Sequence, residues 1–353
     1  MKRCFRLLFV AALIVLLPAG AASAQPAATT AAKIIDCFCY DIYRIRPDGS
    51  GKRLVSAGGE RDLSDVSADR TRILFQHRVG VLESSTITGR GKRILARGAW
   101  GGARWSPDGR KIAYFRADQA CRGPELHVLD ADGRNDRSFG CSPFVVEWAP
   151  DSRQILFVSS DAGSQTFAQF LDAAQVNGGG RHAITAATSQ ISSARWSPRR
   201  DEIAYVTGSS GNQHVRLVRL DGSHDHVLVR GDAPNWSPDG RTLQFRWTPG
   251  RGRTEAAAMI NPAGSRLRVA DPLAIDPYLQ GVGWSPDGRW IVYRRRYRSS
   301  SRCGCRMALW VARRNGADKR LLTKGVDHEE FGPLYWARDG KTILYTSYIQ
   351  QGE

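Results

Sequence analysis

One pentapeptide recurs along this chain and restricts its fold more than any other feature. Trp105-Ser-Pro-Asp-Gly109 returns unchanged as Trp236 to Gly240 and as Trp284 to Gly288. Looser copies stand at Trp148-Ala-Pro-Asp-Ser152, Trp196-Ser-Pro-Arg-Arg200 and Trp336-Ala-Arg-Asp-Gly340, with a worn one at Val66-Ser-Ala-Asp-Arg70. Successive copies lie 39, 43, 48, 40, 48 and 52 residues apart, which is the length of a four-stranded propeller blade. The segment has a mechanical reading. Pro presets φ at the second turn position, Asp accepts from nearby backbone donors, and Gly takes the positive φ that closes a hairpin. The Trp ahead of it suits a wedge between neighbouring blades, where space widens away from the axis.

Strand-like segments follow the copies: Lys111 to Phe115, Gln154 to Val158, Glu202 to Val206, Trp290 to Tyr293 and Thr342 to Tyr345. They are short, β-branched and aromatic, as strands buried between neighbours must be. A second hairpin follows each, as in Leu126 to Gly133 and Val215 to Gly222. The chain ends each supply half a blade: Asp41 to Val55 matches an outer hairpin, and Trp336 to Tyr348 an inner one. Pairing them closes the ring and leaves no open inner edge. The expected fold is therefore all-β, a β-propeller of four-stranded blades. Counting the composite gives seven blades, or six if the Val66 copy is not a full one.

The Trp-Ser-Pro-Asp-Gly copies, each followed by an Ile-Ala-Tyr type strand and then by Asp-Gly, resemble the TolB-type propeller repeat. That repeat is also found in the propellers of prolyl oligopeptidase-like enzymes and of oligogalacturonate lyase. The resemblance covers nearly all of residues 37 to 348 and implies a propeller. It also implies an interaction scaffold of the cell envelope. TolB itself carries an α/β domain ahead of its propeller, for which residues 25–36 leave no room here.

Residues 1–24 read as a secretory signal peptide: Lys2, Arg3 and Arg6, then an apolar run from Leu7 to Leu17, then Ala22-Ser23-Ala24 before Gln25. Residues 25–36 form a short leader and 37–353 a single propeller domain. The apolar run is too short to span a bilayer, and no later stretch approaches a membrane span, so a periplasmic or secreted monomer is expected. The chain has 51 Lys+Arg against 34 Asp+Glu. An exported protein with that surplus favours an envelope protein or an anionic glycan as partner. No zinc-finger spacing or RNP-type run points to nucleic acid.

Six cysteines follow the signal: Cys37, Cys39, Cys121, Cys141, Cys303 and Cys305. An even count in an exported chain suggests disulfides. Cys121 with Cys141 fits one blade and its exit. Cys37-Phe-Cys39 and Cys303-Gly-Cys305 occupy matching positions in adjoining blades and could be cross-linked, or could hold a four-Cys zinc. The repeat register puts the cysteines on the face opposite the Ser-Pro-Asp-Gly turns. There also lies the densest charge run, Arg294, Arg295, Arg296, Tyr297 and Arg298, continuing to Arg302. It reads either as a solvated hairpin loop or as an anion-binding patch built from guanidinium forks. Nearby, Asp327, His328, Glu329 and Glu330 enter the first strand of the last blade.

Catalytic signals are weak. There is no Gly-x-Ser-x-Gly elbow and no residues to build a hydrolase domain around one. His77, His214 and His328 map to the cysteine-bearing face in blades one, four and seven; blades one and seven adjoin, so the alternative to a non-enzymatic scaffold is a polysaccharide-active enzyme such as a metal-dependent polyuronate lyase, with His77 and His328 near the metal. His224-Asp225-His226 and Asp130-Ala-Asp132-Gly133 read as turns. No nucleotide-binding loop occurs, and neither a metal nor a cofactor is expected.

Overall fold

The structure is a computed structural model. It describes residues 39–349, apart from 57–60, 78–79, 119–122, 142–145, 161–167, 189, 200, 248–255, 272–282, 299–304, 326–328 and 338. The described residues contain strands and turns and no helix. Each repeat begins with a strand that runs into the Trp. In the second repeat, Ala99–Trp105 pairs with Lys111–Asp118, which pairs with Gly123–Asp130, which pairs with Arg137–Cys141. Four more sheets have this four-stranded order. The sixth described sheet has seven strands because one long strand, His226–Trp236, serves two repeats. Its first half pairs with His214–Arg219 and its second half with Leu243–Trp247. Divided there, the described strands make seven four-stranded units, numbered below in chain order from Arg61–Val66.

The seventh unit joins the chain ends. Cys39–Ile45 lies antiparallel to Ile343–Ile349, with partners running from Cys39↔Ile349 to Ile45↔Ile343. The half-blades at the two termini therefore complete each other.

Hydrogen bonds at the turns show why the motif repeats. Ser106 Oγ donates to Asp108 Oδ1 at 2.6 Å and accepts from Lys111 N at 2.9 Å, while Gly109, at φ 70°, donates its N–H to Ser106 O. Ser237 with Asp239 and Ser285 with Asp287 repeat this clasp. The worn copy has it too: Ser67 Oγ donates to Asp69 Oδ1 at 2.6 Å, and Arg70 adopts φ 57° where Gly stands elsewhere. Where Ala149 and Ala337 replace the serine, the turn keeps its backbone bonds, Ser152 N to Ala149 O and Gly340 N to Ala337 O, without the clasp. The fourth repeat has Arg199 in place of the aspartate, and the buried Ser197 hydroxyl has no partner among the described residues.

Seven apolar clusters hold the units together, each drawn from two successive units. One joins Leu74 and Leu82 of the first to Trp105 and Tyr114 of the second. Another joins Val292 and Leu309 of the sixth to Trp336 and Tyr345 of the seventh, and a third joins Leu344 of the seventh to Leu63 and Phe75 of the first. The repeat tryptophans are 2–9% exposed. Three of them hydrogen-bond across the junction to the preceding unit: Trp148 Nε1 to Arg104 O, Trp236 Nε1 to Arg195 O and Trp336 Nε1 to Gly283 O, at 3.0–3.2 Å. The wedge role read from the sequence is what the packing shows.

Candidate functional site: the axial charge ring

The residue just ahead of each repeat anchor, Val66 in the first repeat and Trp in the other six, has a fixed place on the innermost strand but no fixed identity. In order it is Asp65, Arg104, Glu147, Arg195, Asn235, Gly283 and Tyr335. The first four alternate in sign. They lie close enough to act on one another across units: Arg104 feels Tyr335, Asp65 and Glu147, and Arg195 feels Glu147, Arg104, Tyr335 and Asp65. Residues from the first, second, third, fourth and seventh units therefore converge on the axis.

Geometry and electrostatics agree that the ring is self-compensating. Arg195 Nη1 lies 3.6 Å from Glu147, and the two side chains are 25% and 22% exposed. Asp65 accepts from Trp105 N at 2.8 Å, and Tyr335 donates its hydroxyl to Ser64 O at 2.8 Å. Burial pushes the Asp65 carboxyl up, against the opposing pull of Arg104. Burial likewise raises Glu147, opposed first by Arg195 and then by Arg104. For Arg195 burial lowers the value and Glu147 resists. Each charge is costly alone and tolerable because the next has the opposite sign.

On the other side of the axis the wall is neutral and tight. A Cβ at Gly283 would stand 3.0 Å from Leu334 O and 3.1 Å from Val292 Cγ1, so a side chain there would press its neighbours back by a few tenths of an ångström. Sequence reading missed the ring, although its signal, the residue before each anchor, was in plain view. Only mutual position gives those seven letters a meaning.

The run singled out from sequence falls on a strand. Trp290–Arg298 pairs with Cys305–Arg313 from Arg294↔Leu309 to Arg298↔Cys305, so Arg294 to Arg298 are strand rather than loop. Pleating sends neighbours to opposite sides. Arg294 is 8% exposed and donates to Phe331 O in the seventh unit, whereas the Arg295 guanidinium lies 5.1 Å from the Trp310 ring centre. The side chains of Arg296, Tyr297, Arg298, Glu329 and Glu330 are outside the described ones, as are Arg302, Asp327 and His328 altogether. Cys141 is disulfide-bonded. Cys37, Cys121 and Cys303 lie outside the described residues, and Cys39 and Cys305 begin strands without described side chains.

Among the described histidines, His77 and His127 are engaged by carboxylates. His77 Nε2 is 3.1 Å from Glu83, and His214 opens a strand in the fourth unit. His127, passed over in the sequence, is 7% exposed between Glu125 at 2.8 Å and Asp136 at 3.0 Å, and Asp136 also accepts from Tyr114 Oη at 2.8 Å. The fourth unit repeats this arrangement with Arg216 in the histidine's place, bonded with Tyr205 to Asp225. A spot that takes His in one unit and Arg in another is a structural device. Asp225, between two histidines in sequence, serves it.

No family model matches the chain. A stretch of 107 residues is 29% identical to the Tol-Pal system protein TolB of Gluconobacter oxydans, covering 28% of this chain and 23% of that protein. With an uncharacterised protein of Agrobacterium fabrum, 26% identical, the cover is 40% and 52%. The chain thus spans only about a quarter to a half of the curated relatives it matches. Among solved structures, an oligogalacturonate lyase of Vibrio parahaemolyticus superposes with a TM-score of 0.63 at 12% identity, over 88% of this chain and 96% of that one. A provisionally assigned TolB of Agrobacterium tumefaciens gives 0.53 at 16%, over 88% and 99%. At these identities the likeness is one of fold, and the fold is that of a TolB-like β-propeller.

Proposed function

We propose that this chain is exported and acts without catalysis, as an envelope scaffold that binds an anionic protein or glycan at the channel mouth and the face bearing Arg294 to Arg302. One observation carries the reading: the repeat holds its Trp, Ser and Asp nearly constant while the axial position changes from unit to unit. Positions that build the fold are uniform, and the position that lines the axis is individual, as a recognition wall requires. Support also comes from the surplus of cations, 51 against 34, and from the disulfide at Cys141, which suits an oxidising compartment. Among the described residues no helix is long and apolar enough to cross a membrane. The seven interlocking clusters favour seven blades. The cysteine pairings offered are Cys121 with Cys141 and a link between the Cys37-Cys39 and Cys303-Cys305 pairs.

A photocrosslinker at Tyr297, followed by mass spectrometry on whole cells, tests the reading. Capture should give an envelope species that is lost with Arg296→Glu/Arg298→Glu and reduced by salt; capture indifferent to both refutes the patch. The same experiment reports whether the chain begins at Gln25.

The lyase reading draws on the fold likeness to oligogalacturonate lyase. His77, its first candidate ligand, has its Nε2 engaged by Glu83. Incubation with polygalacturonate and added Mn²⁺, watched for the absorbance of unsaturated products, separates the two: product formation abolished by His77→Ala would replace the scaffold reading.

A further inference from the structure

On the face bearing the Ser-Pro-Asp-Gly turns, a cleft of ≈ 770 Å³ opens where the fifth and sixth units meet. Its walls are the turns of both units, and six arginines line it: Arg241, Arg266, Arg268, Arg289, Arg313 and Arg314. Two are already committed. Arg313 Nε binds Asp318 at 2.7 Å, and Arg314 binds Asp239 at 2.8 Å and Thr242. The other four are exposed and make no ion pair among the described residues. The acid in the lining, Asp287, is occupied by its own turn, accepting from Ser285 Oγ at 2.5 Å and from Arg289 N at 3.0 Å. Met259, Ile260, Pro262 and Ala263 add an apolar wall.

The lining carries more cations than its neighbouring acids offset, and a surplus of one sign in a concave site favours an outside anion. Comparable hollows on this face do not share that need. The one at the first and second units is lined by Asp69 and Asp108 with Arg72, and the one on the fourth unit by Asp201, Glu202 and Asp221 with Arg219. The free forks come from three separate segments, the turns ahead of Leu243–Trp247 and of Trp290–Arg298 and the hairpin at 266–268. A carboxylate offers two oxygens in one plane, whereas a phosphoryl group presents three oxygens in different directions and can be held by forks arriving from several sides. The volume is that of a small-molecule site.

We infer that this cleft binds a phosphorylated saccharide, its phosphates held by Arg241, Arg266, Arg268 and Arg289 and its sugar against the apolar wall. The site lies at the Ser-Pro-Asp-Gly end of the strand Trp290–Arg298, away from its Arg298 end, so it stands or falls apart from the scaffold reading. Calorimetric titration of the full chain with fructose 1,6-bisphosphate tests it, with digalacturonate and phosphatidic-acid vesicles as separate arms. Saturable binding to the bisphosphate, tighter than to digalacturonate, is expected. Arg266→Ala/Arg268→Ala and, separately, Arg241→Ala/Arg289→Ala should each weaken it at least about tenfold, and Arg295→Ala not at all. The inference is overturned by an absence of saturable binding, by equal loss in Arg295→Ala, by equal affinity for digalacturonate, or by binding to the vesicles alone.

Discussion

The axial ring and the rim cleft use the same residue, arginine, in opposite ways. At the axis Arg104 and Arg195 alternate with Asp65 and Glu147, each charge lying against its opposite. At the cleft Arg241, Arg266, Arg268 and Arg289 stand together, and of the neighbouring acids Asp239 is bound by Arg314 of the same lining and Asp287 is held in its own turn. Enclosed charge that is compensated holds the structure. Exposed charge that is left over is available to a ligand. The difference is set by distance from the axis: seven innermost strands crowd their side chains together, whereas turns on the rim diverge and leave room between units.

The largest way to break this contrast is through the wedge that sets the ring's spacing. Trp148 is 5% exposed and holds the carbonyl of Arg104 through its indole N–H. Trp148→Ala should cost about 3–5 kcal/mol in urea unfolding, as deletion of a large buried aromatic generally does. A loss under about 1 kcal/mol would mean that the units are not held by their wedges.

Next comes the ring itself. Arg195→Met leaves Glu147 enclosed without its nearest counter-charge and should cost about 2 kcal/mol, below the usual figure for a broken buried pair because water reaches roughly a quarter of each side chain. Adding Glu147→Leu should return much of that loss, since no unpaired anion remains. Additive costs in the cycle, by contrast, would show that the two residues do not compensate each other.

How much of this was legible beforehand follows from what each level of structure depends on. The turn motif and the strand after it are local, so Ser106 to Gly109 and Lys111 to Phe115 announce the fold on their own. The pairing of Asp41 to Ile45 with Ile343 to Ile349 was legible because two half-patterns matched. The ring was not, because Asp65 and Arg195 gain their relation only when four units are curved around one axis. The cleft was hidden for the same reason, its arginines being scattered from 241 to 314. At Arg294 to Arg298 adjacency in sequence could not show which way each guanidinium goes: pleating sends Arg294 into the sixth–seventh junction and Arg295 onto Trp310.

The smallest expected effect is the sharpest test of the contrast, because it moves one arginine from the compensated class to the free one. Asp239 ties Arg314 to the fifth unit. Desolvation raises its carboxyl, but the Ser237 hydroxyl and the Arg314 guanidinium outweigh that and hold it down to about 2. A carboxyl lowered in the folded state stabilises it at any pH above the unfolded value, and the contribution fades as pH falls from there to the folded value. Asp239→Asn should therefore lose stability at neutral pH, under about 1 kcal/mol because the pair is more than a third exposed, and the gap from the parent should close between about pH 4 and pH 2. The same substitution releases Arg314 beside the cleft. If uncompensated charge is what binds there, bisphosphate affinity should rise about threefold at low salt and converge with the parent at high salt; an affinity that stays level while the acid-side stability gap behaves as described would separate the two regions entirely.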